Sequence, residues 1–163
     1  MAEKRGPHLH QISVSKGGIP KLPIPQARIG KLGVEGDYQR NRVLHGGVNR
    51  AVCLFSLEAI EAMRAEGHSI TPGASGENLT LAGLDWAQLE PGDCLRIGDA
   101  VKLEIMSYCE PCSQTAGCFQ QGAFDRISHK KNPGWCRLYA KVLEEGMVRA
   151  GDPVTVDQKV TEL

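Results

Sequence analysis

Glycine and proline interrupt this chain so often that only short secondary-structure elements fit between them. The 163 residues include 19 glycines and 9 prolines, which are spread along the whole chain without a low-complexity tract. Short apolar or alternating stretches lie between these breaks, as is typical of β-strands. They are residues 9–15, 50–55, 94–97, 101–106, 137–143 and 153–156. The pattern predicts a mainly β protein, built as a sheet or a barrel.

Two helices are predicted between the strands. Ser56 is a suitable N-cap for a helix over residues 57–66, and Gly67 is a suitable end for it. A second helical pattern covers residues 115–128, where two internal glycines lower the helix propensity. We expect this second segment to act as a cover over a site.

The charge and the cysteine content exclude several classes of protein. Lys+Arg and Asp+Glu balance at 19 each, so no basic surface indicates a nucleic-acid partner. No stretch approaches the roughly 20 apolar residues of a membrane helix, and residues 1–7 lack the apolar core of a secretion signal. We therefore expect a cytoplasmic protein without a membrane partner, whose six cysteines are reduced.

One cysteine stands out as a candidate for chemistry. Cys112 ends the sequence Tyr-Cys-Glu-Pro-Cys directly after the predicted strand 101–106. A thiol held on a proline turn suits a metal ligand or a nucleophile. Cys53 and Cys94, by contrast, lie in strand-like surroundings and are interpreted as structural.

The neighbouring cysteines leave two alternatives open for this cluster. A zinc site could use Cys109, Cys112 and Cys118, with His129 or Cys136 as the fourth ligand. Cys109 and Cys112 could instead form a redox disulfide, although no thioredoxin-like pattern surrounds them.

Two loops carry candidate binding residues. In residues 45–50, Gly46 and Gly47 expose backbone amides between His45 and Arg50, an arrangement that suits an anion or a polar ring. In residues 73–79, Glu77 and Asn78 could read the edge of a heterocycle. Either loop could equally be an ordinary turn.

These segments, taken together, resemble the MOSC domain family in its stand-alone bacterial form. The similar segments, in order, are Gly17–Lys21, Gly33–Asp37, His45–Val52, Gly76–Leu79, Pro111–Cys112, Trp135–Val142, Gly146 and Gly151–Asp152. The resemblance covers roughly residues 8–156. It predicts one domain there, with terminal tails over residues 1–7 and 157–163.

The resemblance implies a β-barrel of the MOSC type, with a few peripheral short helices, that binds the molybdenum cofactor, molybdopterin. Cys112 matches the cysteine that ligates the metal, so it is the predicted metal ligand and catalytic residue. The residues implied near the cofactor are His45, Gly46, Arg50, Glu77 and Asn78.

The chain also departs from this family at two positions. Relatives of the hydroxylaminopurine-reducing type carry an arginine where this chain has Cys109, and an aspartate where it has Asn49. In those relatives, the arginine that this chain lacks is the partner of an anion. We expect Arg137, Lys16 or Lys21 to replace it, with Arg137 as the predicted cofactor-binding residue.

The function implied is an oxidoreductase that reduces N-hydroxylated substrates, such as a hydroxylaminopurine or an amidoxime. No flavin, haem or iron–sulfur motif is visible, so an external electron-donor protein is expected. One alternative is a non-catalytic carrier of the cofactor, or of sulfur for it, and another is the structural zinc or redox-cysteine protein described above. The chain is too short to include a pyridoxal-phosphate domain, so pyridoxal phosphate is not expected.

Overall fold

The computed structural model describes residues 5–38 and 47–157. In this part of the chain it contains eleven β-strands, one α-helix and five short 3₁₀ turns. The strands are β1 (His8–Val14), β2 (Leu22–Ile24), β3 (Gln26–Gly30), β4 (Gly33–Val34), β5 (Val52–Ser56), β6 (Leu79–Ala82), β7 (Cys94–Ile97), β8 (Val101–Cys109), β9 (Arg137–Glu144), β10 (Gly146–Arg149) and β11 (Val154–Asp157). The helix is α1 (Leu57–Ala65), and the 3₁₀ turns are Val48–Arg50, Trp86–Gln88, Ser113–Cys118, Gln120–Gly122 and Phe124–Ile127.

The strands form one large sheet and one small one, which confirms the mainly β prediction. The large sheet has the order β11-β7-β8-β9-β5-β6-β1-β2, and the small sheet has the order β10-β3-β4. Neighbouring strands are antiparallel except for β5 and β6, which are parallel.

The two sides of the large sheet meet at one point. His8 forms a β-bridge with Pro153, and the Leu9 amide donates to the Asp152 carbonyl at 2.8 Å. This contact joins β1 to the segment that leads into β11. The described strands therefore curl towards each other but are joined there by a bridge, without a continuous ladder.

Alternation along β8 and β9 decides which residues face the core. Val101, Leu103 and Ile105 of β8 are fully buried, as are Ala140 and Val142 of β9. Because successive side chains of a strand point to opposite faces, Arg137 and Tyr139 lie on the face opposite to Leu138 and Ala140. This opposite face carries the candidate site.

Helix α1 confirms the first helix prediction. The Ser56 hydroxyl accepts a hydrogen bond from the Ala59 amide at 3.1 Å, as an N-cap should. The helix ends before Gly67, whose φ of 104° is accessible to glycine at low cost.

The second predicted helix is wrong in type. Three 3₁₀ turns cover most of residues 115–128, and no α-helix forms there. Gln121 and Gly122 both have positive φ, at 55° and 66°, which interrupts a right-handed helix. No helix among the described residues is long and apolar enough to cross a membrane.

Candidate functional site

The register of three strands places five polar side chains on one face of the large sheet, and four of them are grouped as a cluster. Cys53 of β5 and Ser107 of β8 both lie opposite Tyr139 of β9. Cys109, at the end of β8, lies opposite Arg137. Directly opposed residues share a face, and so do residues two apart on one strand. Cys53, Cys109, Arg137 and Tyr139 therefore form one cluster.

Arg137 is the charged group at the centre of this cluster. Its residue is only 6% exposed, and its Nη1 donates to the Ser75 carbonyl at 2.6 Å. Its Nε is buried, and no partner for it exists among the described residues. A guanidinium stays charged at all physiological pH values, and an unsatisfied buried donor is costly. The group is thus suited to receive an anion.

Glu77 provides a buried acidic group near Arg137. Its residue is fully buried, and it accepts hydrogen bonds from the Thr80 hydroxyl at 3.0 Å and from the Ser75 hydroxyl at 3.3 Å. Burial raises the pKa of the Glu77 carboxyl, while the field of Arg137 acts in the opposite direction. Both oxygens of Glu77 have protein partners, so a ligand would have to compete for them.

Asn78 is hydrogen-bonded to the backbone of Cys53 on β5. Its Oδ1 accepts from the Cys53 amide at 3.1 Å, and its own amide donates to the Cys53 carbonyl at 2.8 Å. Its Nδ2 donates to Asp37 at 2.9 Å and to the Ser13 carbonyl at 3.3 Å. Asn78 therefore positions the strand that carries Cys53.

Asp37 and Lys21 form a nearly buried ion pair beside Asn78. The Lys21 Nζ lies 2.7 Å from the Asp37 Oδ2, and the two side chains are 9% and 5% exposed. Asp37 also accepts from the Ser15 amide at 2.9 Å. Of the three cations expected to replace the missing arginine, Lys21 is thus occupied and Lys16 is exposed, whereas Arg137 keeps a buried donor without a partner.

Cys53 and Cys109 are both buried on this face, at 5% and 3% exposure. The Cys109 thiol donates to the Glu110 carbonyl at 3.9 Å. Interaction with the Cys109 side chain, together with burial, raises the pKa of the Cys53 thiol well above its ordinary value. The Arg50 guanidinium lies 5.2 Å from the centre of the Tyr139 ring and covers the cluster from outside.

Cys112 lies just beyond this cluster and is exposed. It follows the last residue of β8, Cys109, by three positions, and three residues span at most about 10 Å. Its carbonyl accepts from the Thr115 amide at 3.0 Å and from the Thr115 hydroxyl at 2.8 Å, which fixes the turn. An accessible thiol and a buried cation therefore flank the end of β8.

Glu110, two residues before Cys112, is hydrogen-bonded to the loop of residues 128–130. Glu110 accepts from the Ser128 hydroxyl at 2.7 Å and from the Lys130 amide at 3.1 Å. The ring of Tyr108 stacks on His129 with centroids 3.6 Å apart. The turn that carries Cys112 is thus anchored at its start to residues 128–130.

The structure bears differently on the two alternatives for the cysteine cluster. None of the six cysteines is in a disulfide here, and the redox disulfide of Cys109 and Cys112 stays a prediction. Among residues 5–38 and 47–157, no three His, Cys, Asp or Glu side chains are grouped to hold a metal. The zinc interpretation, all of whose ligands lie in these ranges, is therefore wrong.

The sequence-predicted site residues are only partly brought together. Arg137 lies in the cluster, Glu77 lies near Arg137, Arg50 covers the cluster and Asn78 supports it, while His45 and Gly46 lie outside the described residues. Whether any of these groups, or Cys112, contacts a cofactor stays a prediction. The sequence analysis missed Cys53 and Tyr139 as members of the cluster. The alternation in β5 and β9 would have placed them there only once the strand order was known.

Comparisons with known proteins agree with this architecture. The family model described as the MOSC domain matches residues 41–155. The uncharacterized protein YflK of Bacillus subtilis (strain 168) is 33% identical over 136 residues, which are 82% of this chain and 60% of YflK. A protein named Reductase from Gibberella moniliformis is 30% identical over 117 residues, which are 69% of this chain and 20% of that protein.

A solved structure shows the same fold. The crystal structure of YiiM from Geobacillus stearothermophilus superposes with a TM-score of 0.72 at 25% identity, covering 93% of this chain and 75% of YiiM. The chain spans less than two thirds of the length of the curated relatives that it matches.

Proposed function

The chain belongs to the MOSC domain family, and from this premise we propose that it binds the molybdenum cofactor and reduces N-hydroxylated compounds. The observation that carries the proposal is Arg137, a buried guanidinium with an unpartnered Nε. A buried donor without a protein partner needs an acceptor from a ligand or from solvent, and an anion is the strongest acceptor for a guanidinium. The pterin part of the cofactor bears a phosphate, which is such an anion.

The donor set at the end of β8 fits the metal part of the cofactor. Cys112 is exposed, and a single thiolate is a suitable soft ligand for molybdenum. The thiol must lose its proton to bind, so retention of the metal depends on pH. When bound, the cofactor would supply a metal that exchanges two electrons and an oxygen atom with a substrate.

The other residues of the cluster have supporting roles in this proposal. Arg137 holds the anionic group, and Glu77 keeps a compensating acidic group beneath it. Asn78 fixes the backbone of β5 at Cys53, and the Lys21–Asp37 pair is joined to Asn78 through Asp37. Arg50 and Tyr139 close the outer side of the cluster.

The reaction consumes electrons and protons that must come from outside the substrate. An N-hydroxylated compound takes up two electrons and two protons, its N–O bond breaks, and the amine and one water are formed. The electrons come from a separate donor protein. The name Reductase of one relative, of which this chain matches only 20%, supports the view that such domains act together with additional protein.

The test is turnover with an artificial electron donor. Protein from a host that makes the cofactor is mixed with reduced methyl viologen and benzamidoxime, and benzamidine is quantified by chromatography. We expect turnover by the wild type and at least a hundredfold loss in Cys112→Ser, since a hydroxyl is a poor ligand for a soft metal. Cys94→Ser is the matched control, because Cys94 lies on β7 away from the cluster and should behave as wild type.

Two results would count against the proposal. Equal turnover by the wild type and Cys112→Ser would show that Cys112 does not serve the reaction. A wild type that contains the cofactor but reduces neither benzamidoxime nor 6-hydroxylaminopurine would favour the carrier function instead.

A further inference from the structure

A cavity of about 140 Å³ lies next to the end of β8, and the proposed function does not use it. Tyr108 and Leu138 line this cavity, and they are directly opposed in the register of β8 and β9. The next pair in this register, Cys109 and Arg137, lies on the other face of the sheet, because successive side chains of a strand alternate. The cavity is therefore separate from the site around Arg137.

The cavity has a buried inner end and a mouth made of small residues. Trp86, Cys136 and Leu138 line the inner end, where they are 7%, 2% and 1% exposed, and the Trp86 Nε1 donates to the Cys136 carbonyl at 2.8 Å. Ala87 is exposed and lines the cavity together with Gly134. A Cβ on Gly134 would lie 3.0 Å from the Ala87 Cβ. The lack of a side chain at Gly134 thus keeps the mouth open.

His129 is a polar residue of the cavity lining whose hydrogen bonds the protein leaves open. Its ring is stacked on the ring of Tyr108, with centroids 3.6 Å apart. Its Nδ1 is buried and has no hydrogen-bond partner among the described residues. No protein group at Nδ1 therefore fixes which ring nitrogen carries the proton, and each nitrogen can be a donor or an acceptor. A hydroxyl group is both a donor and an acceptor, so it complements either form.

The lining favours a ligand without charge. Among the described residues, no lysine, arginine, aspartate or glutamate lines the cavity. Burial raises the pKa of the Cys136 thiol to about 12, so this thiol stays protonated at neutral pH. A charged ligand would lose its hydration in the cavity without gaining an ion partner.

The size of the cavity and its rings favour a single aromatic ring as the ligand. An apolar cavity of about 150 Å³ in another protein holds one benzene molecule. The side chains of Trp86, Tyr108 and His129 give this cavity three ring systems against which an aromatic ligand packs. We propose that the cavity binds a small phenol, whose ring packs against Trp86 and whose hydroxyl is hydrogen-bonded to His129. Binding is reversible and forms no covalent bond.

The test is a titration with phenol that follows the indole N–H signal of Trp86 in ¹H–¹⁵N NMR spectra. The chain has two tryptophans, so Trp135→Phe identifies the signal of Trp86. We expect this signal to shift and to saturate with a Kd on the order of 1 mM, whereas benzoate, which has the same ring and a negative charge, should cause no saturable shift. A Trp86 signal that stays in place, that never saturates, or that responds equally to benzoate would overturn the proposal.

Three variants locate the binding. His129→Phe keeps a ring on Tyr108 but removes the hydrogen bond, and it should raise the Kd about fivefold. Ala87→Leu fills the mouth from an exposed position and should abolish the saturable shift. His10→Phe is the matched control, because His10 is an exposed histidine of β1 outside the cavity lining, and its Kd should equal that of the wild type.

Ala87→Leu decides the question if His129→Phe does not fold. A lost shift in Ala87→Leu supports the site, and an unchanged Kd contradicts it. An unchanged Kd in a folded His129→Phe would contradict the hydrogen bond to His129. The outcome is independent of the molybdenum proposal, because protein without the cofactor is suitable for every titration.

Discussion

The ion pair of Lys21 and Asp37 gives the sharpest test of how the site is held. Lys21→Met removes the cation and leaves the Asp37 carboxylate, 5% exposed, with only neutral donors such as the Ser15 amide and the Asn78 side chain. Breaking a buried pair at one partner costs about 3–5 kcal/mol of unfolding free energy. In a domain of this size, each kcal/mol shifts the melting temperature by about 2–4 °C, so the expected loss is about 6–20 °C.

The assay is urea denaturation and thermal melting of four proteins. These are the wild type, Lys21→Met, Asp37→Asn and the double variant. Because the double variant leaves no uncompensated charge, it should be less destabilised than the sum of the single variants, by at least about 1 kcal/mol. Lys16→Met is the matched control, because Lys16 is an exposed lysine in the same segment, and it should change the unfolding free energy by less than about 0.5 kcal/mol.

Additive single variants would refute this reasoning. One contrary result is a loss of less than about 1 kcal/mol of unfolding free energy in Lys21→Met. The other is a loss in the double variant that equals the sum of the two single losses. Either result would show that the Lys21–Asp37 ion pair does not stabilise the segment that supports Asn78.

Two further predictions concern Glu77 and Gly146. Because burial raises the pKa of Glu77 in the folded protein, its contribution to stability is fully present below the ordinary value of 4.5 and is lost as the pH rises through the folded value. In urea titrations above pH 4.5, the unfolding free energy of Glu77→Gln should therefore fall less with rising pH than that of the wild type. Parallel pH curves for the two proteins would contradict this. A Cβ on Gly146 would overlap the Ala100 Cβ, so Gly146→Ala should lose about 1–3 kcal/mol in urea denaturation. Gly6→Ala, where a Cβ meets nothing within 4 Å, should be neutral, and equal effects of the two changes would contradict the predicted overlap.

The longer elements were predictable from local pattern. Strands β1, β8 and β9 have 7, 9 and 8 residues, and each contains a stretch in which apolar and polar residues alternate, such as residues 101–105 of β8. Helix α1 has its cap, its apolar face and its terminal glycine in the sequence. In these cases local preference and tertiary packing agree.

The shorter strands could not be predicted in the same way. β2 has three residues, one of them Pro23, and β4 has only two residues. Such segments become strands because β1 and β3 offer them hydrogen-bonding edges. β8 also continues through Tyr108 to Cys109, beyond its predicted end, because it pairs with β9 as far as Arg137.

The site was predictable by residue type but not by arrangement. Arg137 follows the loop of the second tryptophan in sequence, yet its carbonyl partner, Ser75, lies 62 positions away. The residues that share a face with Cys53 come from β9 and β8, and only the order of the strands in the sheet shows that they lie near it. The interpretation of Cys53 as a structural thiol stays a prediction, and the structure adds that Cys53 shares a face with Tyr139 and Cys109.

The most direct test of the account is the molybdenum and pterin content of purified protein. Wild type, Cys112→Ser and Cys94→Ser are produced in a host that makes the cofactor, metals are measured by plasma mass spectrometry, and released pterin is measured by fluorescence. The account predicts nearly one molybdenum and one pterin per chain in the wild type and Cys94→Ser, and almost no molybdenum in a folded Cys112→Ser. Wild-type protein without molybdenum or pterin, or a Cys112→Ser variant with full molybdenum content, would contradict it.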